Sequence, residues 1–391
     1  NNVALGNTAL DDGSLSGGCN TAIGANVLTA NTTGLTNTGI GFNALAQTTT
    51  GNCNVAVGAF ANCSNVSGGN NVSVGRNSLL NNTASDNTAV GFNSLNANTT
   101  GIANSGFSKN ALLSNTTGSC NTALGLGALA FNTTASNNTA VGSCSLYTNT
   151  TGSDNTAVSG EALIANTTGA NNTSIGKNSM LGNTEGASNT ALGNNALQCN
   201  TTADNNTAVG RCSLRSNTTG ERNVAVGVCA LSGNTTNVNN TAVGYHALKI
   251  NSANDNTAIG CGAMQCATTG NVNAAVGSLS LCANTTGGCN TAMGVPALRS
   301  NTTGSSNTAI GQNALNANTT AGNNTALGFC ALRSNTTGSD NTAVGHCAMA
   351  SNTIGTYNNA VGCSALVCNT EGTDNNAFGN KALCANTTGD N

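Results

Sequence analysis

The chain repeats one pattern of apolar and polar positions along its whole length. The motif Asn-Thr-Ala-Val-Gly recurs 23 times, mostly at intervals of 17 residues, within the unit N-T-A-V-G-x-x-A-L-x-x-N-T-T-G-x-x. We number the unit from 1 to 17, so that Asn138–Asp154 is one complete copy with Asn138 at position 1. Position 1 is Asn in every copy, position 4 is always apolar, and position 9 is Leu or Met except at Asn62. A fixed period of this kind is the signature of a repeat architecture.

The pattern predicts short strands and turns and disfavours helices, because no apolar stripe with a 3.6-residue period appears. At positions 1 to 5, Thr and Val alternate with Asn, Ala and Gly, as in a strand. Gly at positions 5 and 15 and the Asn-Thr-Thr segment favour turns. We therefore expect an all-β parallel β-solenoid, or β-roll, of about 23 coils of 17 residues. At ~4.8 Å per coil, it would be a rod on the order of 110 Å long.

Two predictions concern the sides of this strand. We expect Val at position 4 and Leu at position 9 to point into the coil, and Asn at position 1 to form a hydrogen-bonded ladder from coil to coil. Asn, Ala and Gly would then form an uncharged outer face, which predicts contact with other copies of the chain in a filament or trimer. The alternative is a flattened coil that buries this face as well. The predicted ladder residues are Asn20, Asn37, Asn54, Asn121, Asn155, Asn206, Asn240, Asn307 and Asn341.

Composition excludes several classes of function. Charged residues make up 6% and aromatic residues 3% of the chain, too few for an ordinary globular enzyme. The net charge of -3, with scattered basic residues, predicts no nucleic-acid partner. No apolar run is long enough for a membrane span. With two histidines and no paired carboxylates or phosphate loop, we expect neither catalysis nor a cofactor.

The 17 cysteines lie only at positions 6, 7, 10, 11 and 17. Several are matched in consecutive coils, and a coil spacing of ~4.8 Å falls within the Cα separation of roughly 4.4–6.8 Å that disulfides accept. We expect disulfides between coils, and hence an oxidising extracellular location; free thiols are the alternative. His246 and His346 lie far apart and no C-x-x-C pair exists, so no zinc site is expected. The predicted pairs are Cys212 with Cys229, Cys330 with Cys347, Cys266 with Cys282, and Cys368 with Cys384.

Asn-Thr-Thr at position 12 is a glycosylation motif that occurs 14 times. In a source that glycosylates Asn, these residues would carry a row of covalent glycans along one edge. The alternative is a turn in which Asn bonds to its own backbone. The residues are Asn31, Asn98, Asn115, Asn132, Asn149, Asn166, Asn200, Asn217, Asn234, Asn284, Asn301, Asn318, Asn335 and Asn386.

Rows of threonine also occur on ice-binding faces. That activity calls for Thr-x-Thr on a strand, whereas the Thr-Thr pair of this repeat lies beside a Gly turn. The sequence therefore disfavours ice binding.

The segments Asn-Thr-Ala-Val-Gly and Gly-x-x-Ala-Leu resemble two repeat families along the whole chain. One is the head repeat of trimeric autotransporter adhesins, which implies a left-handed roll; the other is the shaft repeat of tail-fibre-domain proteins. The expected domain is a single uncapped solenoid over residues 1–391, a segment of a longer fibre. The resemblance favours a structural protein that forms the rigid shaft of an extracellular fibre and self-assembles through its repeats. The alternative is a surface adhesin or viral tail fibre that binds a host surface or glycan.

Overall fold

The computed structural model describes residues 1–390, which form three-residue strands joined by turns and contain no helix. The chain divides into two compact units, Asn1–Thr202 and Ala203–Asn391. Each unit has one strand per repeat, and its strands form a parallel sheet, so the predicted all-β parallel solenoid is confirmed. The handedness and the single domain over residues 1–391 stay predictions.

The strands occupy positions 2 to 4 of the repeat. The first unit contains β1 (Val3–Leu5), β2 (Thr21–Ile23), β3 (Thr38–Ile40), β4 (Val55–Val57), β5 (Val72–Val74), β6 (Thr88–Val90), β7 (Ser105–Phe107), β8 (Thr122–Leu124), β9 (Thr139–Val141), β10 (Thr156–Val158), β11 (Thr173–Ile175) and β12 (Thr190–Leu192). The second unit contains β13 (Thr207–Val209), β14 (Val224–Val226), β15 (Thr241–Val243), β16 (Thr257–Ile259), β17 (Ala274–Val276), β18 (Thr291–Met293), β19 (Thr308–Ile310), β20 (Thr325–Leu327), β21 (Thr342–Val344), β22 (Asn359–Val361) and β23 (Asn376–Phe378).

Within each unit, consecutive coils stack in register. Strands β9 and β10 pair position by position, with Thr139 opposite Thr156 and Val141 opposite Val158, and β19 and β20 pair in the same way. Backbone bonds continue outside the strands, for example from the Leu146 N–H to the carbonyl of Ala162 (3.0 Å). Each coil is therefore hydrogen-bonded to its neighbours at several places around its circumference.

The predicted alternation is correct, but the assignment of its inner side is wrong. Asn138 and Ala140 are fully buried, whereas Thr139 and Val141 are only partly buried and lie on the outside. The interior consists of positions 1, 3, 8, 9, 12 and 15, so the predicted inward Leu is confirmed and the predicted inward Val is not. The coil is narrow, and the small Ala side chains leave room for Leu and for two Asn amides. The Asn and Ala of the predicted outer face are internal, and the Gly at position 5 is partly buried. The alternative of a flattened coil that buries both sides is also wrong, because Thr139 and Val141 lie on the outside.

Left-handed backbone conformations turn the chain at positions 7, 9 and 17. In one coil these are Cys144 (φ 55°), Leu146 (φ 49°) and Asp154 (φ 60°). A bulky residue such as Leu seldom adopts this conformation, which costs roughly 1–2 kcal/mol. Here it directs Leu146 into the interior, where complete burial contributes about 1.5–3 kcal/mol and offsets the strain.

Candidate functional sites

The Asn residues at position 1 form the first of two buried columns. Oδ1 of Asn155 accepts the backbone N–H of Asn172 in the next coil (2.9 Å), and its Nδ2 donates to the carbonyl of Gly169 at position 15 of its own coil (2.9 Å). The same bonds recur along both units, with N–H to Oδ1 distances from 2.8 to 3.1 Å. The predicted ladder is therefore confirmed at Asn20, Asn37, Asn54, Asn121, Asn155, Asn206, Asn240, Asn307 and Asn341, all buried. It lies inside the coil and joins side chain to backbone, and in several coils the amides also bond to each other, as from Nδ2 of Asn121 to Oδ1 of Asn104 (3.1 Å).

The Asn residues at position 12 form a second column, which the sequence analysis did not predict. Nδ2 of Asn149 donates to Oδ1 of Asn132 in the preceding coil (2.9 Å) and to the carbonyl of Gly152 (2.9 Å), while its Oδ1 accepts from Asn166 (2.8 Å). This is a true amide ladder, because each side chain bonds to the copies on both sides. The available signal was the spacing of three residues between this Asn and position 15, which is Gly in most coils and Ala in several others, such as Ala135.

Two substitutions interrupt the position-12 column. Thr48 and Ala267 occupy the Asn position in their coils, and both side chains are buried. As a result, Oδ1 of Asn31 and Oδ1 of Asn251, in the preceding coils, are buried without a hydrogen-bond partner. Because an unsatisfied buried polar atom costs about 1–3 kcal/mol, each interruption is a local defect in the stack.

The position-12 column bears directly on the predicted glycosylation residues. Thirteen of the fourteen are completely buried, and their Nδ2 groups donate inside the coil. A glycan on Nδ2 would replace a donor hydrogen and could not fit inside the coil. The structure argues against glycans at Asn31, Asn98, Asn115, Asn132, Asn149, Asn166, Asn200, Asn217, Asn234, Asn284, Asn301, Asn318 and Asn335. Their bond to the Gly carbonyl bears out the alternative, a backbone-bonding Asn, and only Asn386 is partly exposed.

The cysteines are free thiols in this structure, and most are exposed or half-buried. The predicted pairs do bring cysteines of adjacent coils together. The Cys266 N–H donates to the carbonyl of Cys282 (3.2 Å), and Cys330 and Cys347 both occupy position 7 in consecutive coils. Burial raises the pKa of the Cys282 thiol; Cys266 adds to this shift and Arg299 opposes it. Disulfides between coils, including Cys212 with Cys229 and Cys368 with Cys384, stay predictions.

Charged side chains lie on the outside of the coils. Arg222 and Glu221 make an exposed ion pair (2.7 Å). No cluster of three or more His, Cys, Asp or Glu side chains that could hold a metal lies in the described part. Within residues 1–390 there is no helix long and apolar enough to cross a membrane.

The strands present a regular outer surface at positions 2 and 4. We call this the outer strand face; in the first unit its most uniform part is strands β8 to β12, where position 2 is always Thr. The aliphatic residues of position 4 are substantially exposed, for example Leu124 (49%) and Ile175 (42%). No residue at position 2 or position 4 is charged in any copy.

Comparisons with known proteins identify no relative. The chain matches no protein-family model, and searches of curated proteins and of solved structures found no match. The resemblance to adhesin-head and tail-fibre repeats therefore stays an expectation from the repeat unit.

Proposed function

We propose that the chain is a structural protein that forms the rigid shaft of an extracellular fibre. The observation that carries this proposal is the pair of buried Asn columns. Together with the backbone bonds they tie each coil to both neighbours through side-chain amides as well as main chain. Bending or local opening of such a stack breaks several hydrogen bonds at once, which supports stiffness and resistance to proteases.

The proposed shaft assembles from copies of this chain. The Asn at position 1 and the Ala at position 3 cannot make the contact, because they are internal. The adhesin alternative would call for a surface built to recognise a glycan or receptor. The aromatic pairs Phe42 with Phe60 and Phe131 with Tyr147 are edge-to-face contacts of two rings each rather than such a surface. The geometry therefore favours the shaft.

Negative-stain electron microscopy of the purified chain tests the proposal. We expect thin, straight particles with a length on the order of 110 Å, or multiples of it where copies join. Limited digestion with a non-specific protease should leave the stacked coils intact for much longer than a casein control. Compact globular particles, or digestion at the same rate as casein, would refute the shaft.

A further inference from the structure

The outer strand face carries a two-dimensional array of hydroxyl and methyl groups. In the first unit, Thr122, Thr139, Thr156, Thr173 and Thr190 lie in consecutive paired strands, each directly opposite the next. The residues two positions further on are Leu124, Val141, Val158, Ile175 and Leu192. A second array of this kind occupies strands β18 to β21 in the second unit, where Thr291, Thr308, Thr325 and Thr342 stack in register.

The spacing of this array follows from β geometry. Paired strands lie ~4.8 Å apart, and residues two apart along a strand are ~6.6 Å apart. The coil-to-coil distance between threonines is close to the shorter lattice repeat of hexagonal ice, so the row of hydroxyls matches ice along one direction. The ~6.6 Å distance separates each hydroxyl from the aliphatic side chain at position 4. Because the coils are in register, the same spacings recur from one coil to the next.

The hydroxyls of this array are available to solvent. Elsewhere in the coil, threonine hydroxyls are used internally: Oγ1 of Thr150 at position 13 donates to the carbonyl of Thr167 in the next coil (3.0 Å). In the part of the chain that the structure describes, the strand threonines have no such bond, and their side chains lie on the partly exposed side of the strand. They can therefore donate to and accept from ordered water.

The chemistry of the face favours ice over a protein partner. A second protein surface would have to cover rows of hydroxyls, and each one left unpaired would cost about 1–3 kcal/mol. An ice surface offers a partner to every hydroxyl. The methyl groups of Thr and the aliphatic residues at position 4 favour a cage of ordered water around them. Charged side chains, which would hold water in other arrangements, are absent from positions 2 and 4.

We propose that the outer strand face binds ice. The sequence argument against this activity was that the Thr-Thr pair of the repeat lies beside a Gly turn and that no strand carries Thr-x-Thr. The structure adds a different row of threonines, at position 2, which stack in register on the outside of the strands beside the aliphatic residues of position 4. The proposal does not depend on the fibre-shaft function, since it concerns the surface of a single chain.

Lysine substitutions on the face provide the test. Lys would place a long, charged side chain across the array without changing the interior. The matched control carries the same substitutions at position 14 of the same coils, where Thr is also exposed. The face variant is T139K/T156K/T308K/T325K, and the control variant is T151K/T168K/T320K/T337K.

We measure thermal hysteresis and inhibition of ice recrystallisation with the purified full chain, and confirm folding by far-UV circular dichroism. We expect the wild type and the control variant to be active, and the face variant to lose at least fivefold in thermal hysteresis. No activity in the wild type, or an equal loss in both folded variants, would overturn the proposal. Sedimentation adds a further outcome: self-association that the face variant abolishes, without ice activity, would assign the face to a second copy of the chain instead.

Discussion

Ala267 interrupts the position-12 Asn column. Introducing Asn there therefore measures how much the column contributes to the free energy of unfolding, without removing any existing contact. In the Ala267→Asn variant, the new Nδ2 group would donate to the unpaired Oδ1 of Asn251 and to the carbonyl of Gly270. The new Oδ1 would accept from Nδ2 of Asn284, which at present donates only to Gly287. Space for the amide exists, because the same slot holds Asn in the coils before and after it.

The expected gain can be estimated from these three bonds. A buried hydrogen bond contributes about 1 kcal/mol net, and fixing the new side chain costs on the order of 1 kcal/mol. We therefore expect the free energy of unfolding to rise by about 2 kcal/mol. For a unit of this size, 1 kcal/mol corresponds to roughly 2–4 °C, so the melting temperature of the second unit should rise by about 4–8 °C.

The Ala267→Asp variant is the control, because a carboxylate has the shape of the amide but no hydrogen to donate. It would place a buried charge next to Oδ1 of Asn251, and we expect it to be less stable than the wild type. Calorimetry gives the melting temperatures, and hydrogen exchange at the amides around Thr268 shows whether the change is local. An Asn variant no more stable than the wild type, or an Asp variant as stable as the Asn variant, would refute the proposed role of the column.

Three further predictions concern the turns and the thiols. Ser159 occupies position 5 with φ 112°, where every other coil except that of Ser108 has Gly. Ser159→Gly should therefore raise the free energy of unfolding by about 1 kcal/mol in urea titrations, and a loss would contradict the strain argument. Burial raises the pKa of the Cys63 thiol, so less of it is thiolate near neutral pH. Cys63 should therefore be alkylated more slowly than exposed Cys53, and the difference between the two alkylation rates should narrow as the pH rises. Mild oxidation should join Cys330 to Cys347, detected by peptide mass spectrometry, while recovery of only unlinked peptides would count against the pair.

The sequence predicts the fold well because the repeat period sets the coil. It does not settle which side of the strand is internal, because a strand alternates with period two and both sides could be uncharged. The stronger signal was the range of sizes at each position. Position 4 varies from Val to Phe107 and Met293, which a closed slot would not accept, whereas position 3 is almost always Ala. A position with constant small volume is typical of a narrow interior.

The position-12 column could not be read from local motifs. Asn-Thr-Thr fits a glycosylation motif, a turn and a buried amide equally well, and the three differ only in where the side chain points. Its direction depends on the left-handed conformation of Leu at position 9, as in Leu146, three residues earlier. Propensity disfavours that conformation for Leu, so it follows from the stacking of whole coils rather than from any short segment.

The Asn columns also account for the precision of the register. Ala and Leu are the main apolar side chains of the interior, and rows of similar methyl groups would tolerate small shifts of one coil against the next. An amide ladder does not, because a shift by one residue would place Asn149 opposite Ala165 or Thr167 of the next coil and leave its donors and acceptors unpaired in the interior. Buried amides without hydrogen-bond partners are energetically costly. This cost disfavours every register in which one coil is shifted along its neighbour. The side chains buried beneath the outer strand face therefore set its regular spacing. Repair of the position-12 column at Ala267 should strengthen the stack of coils. It should leave the arrangement of threonines on the outside unchanged.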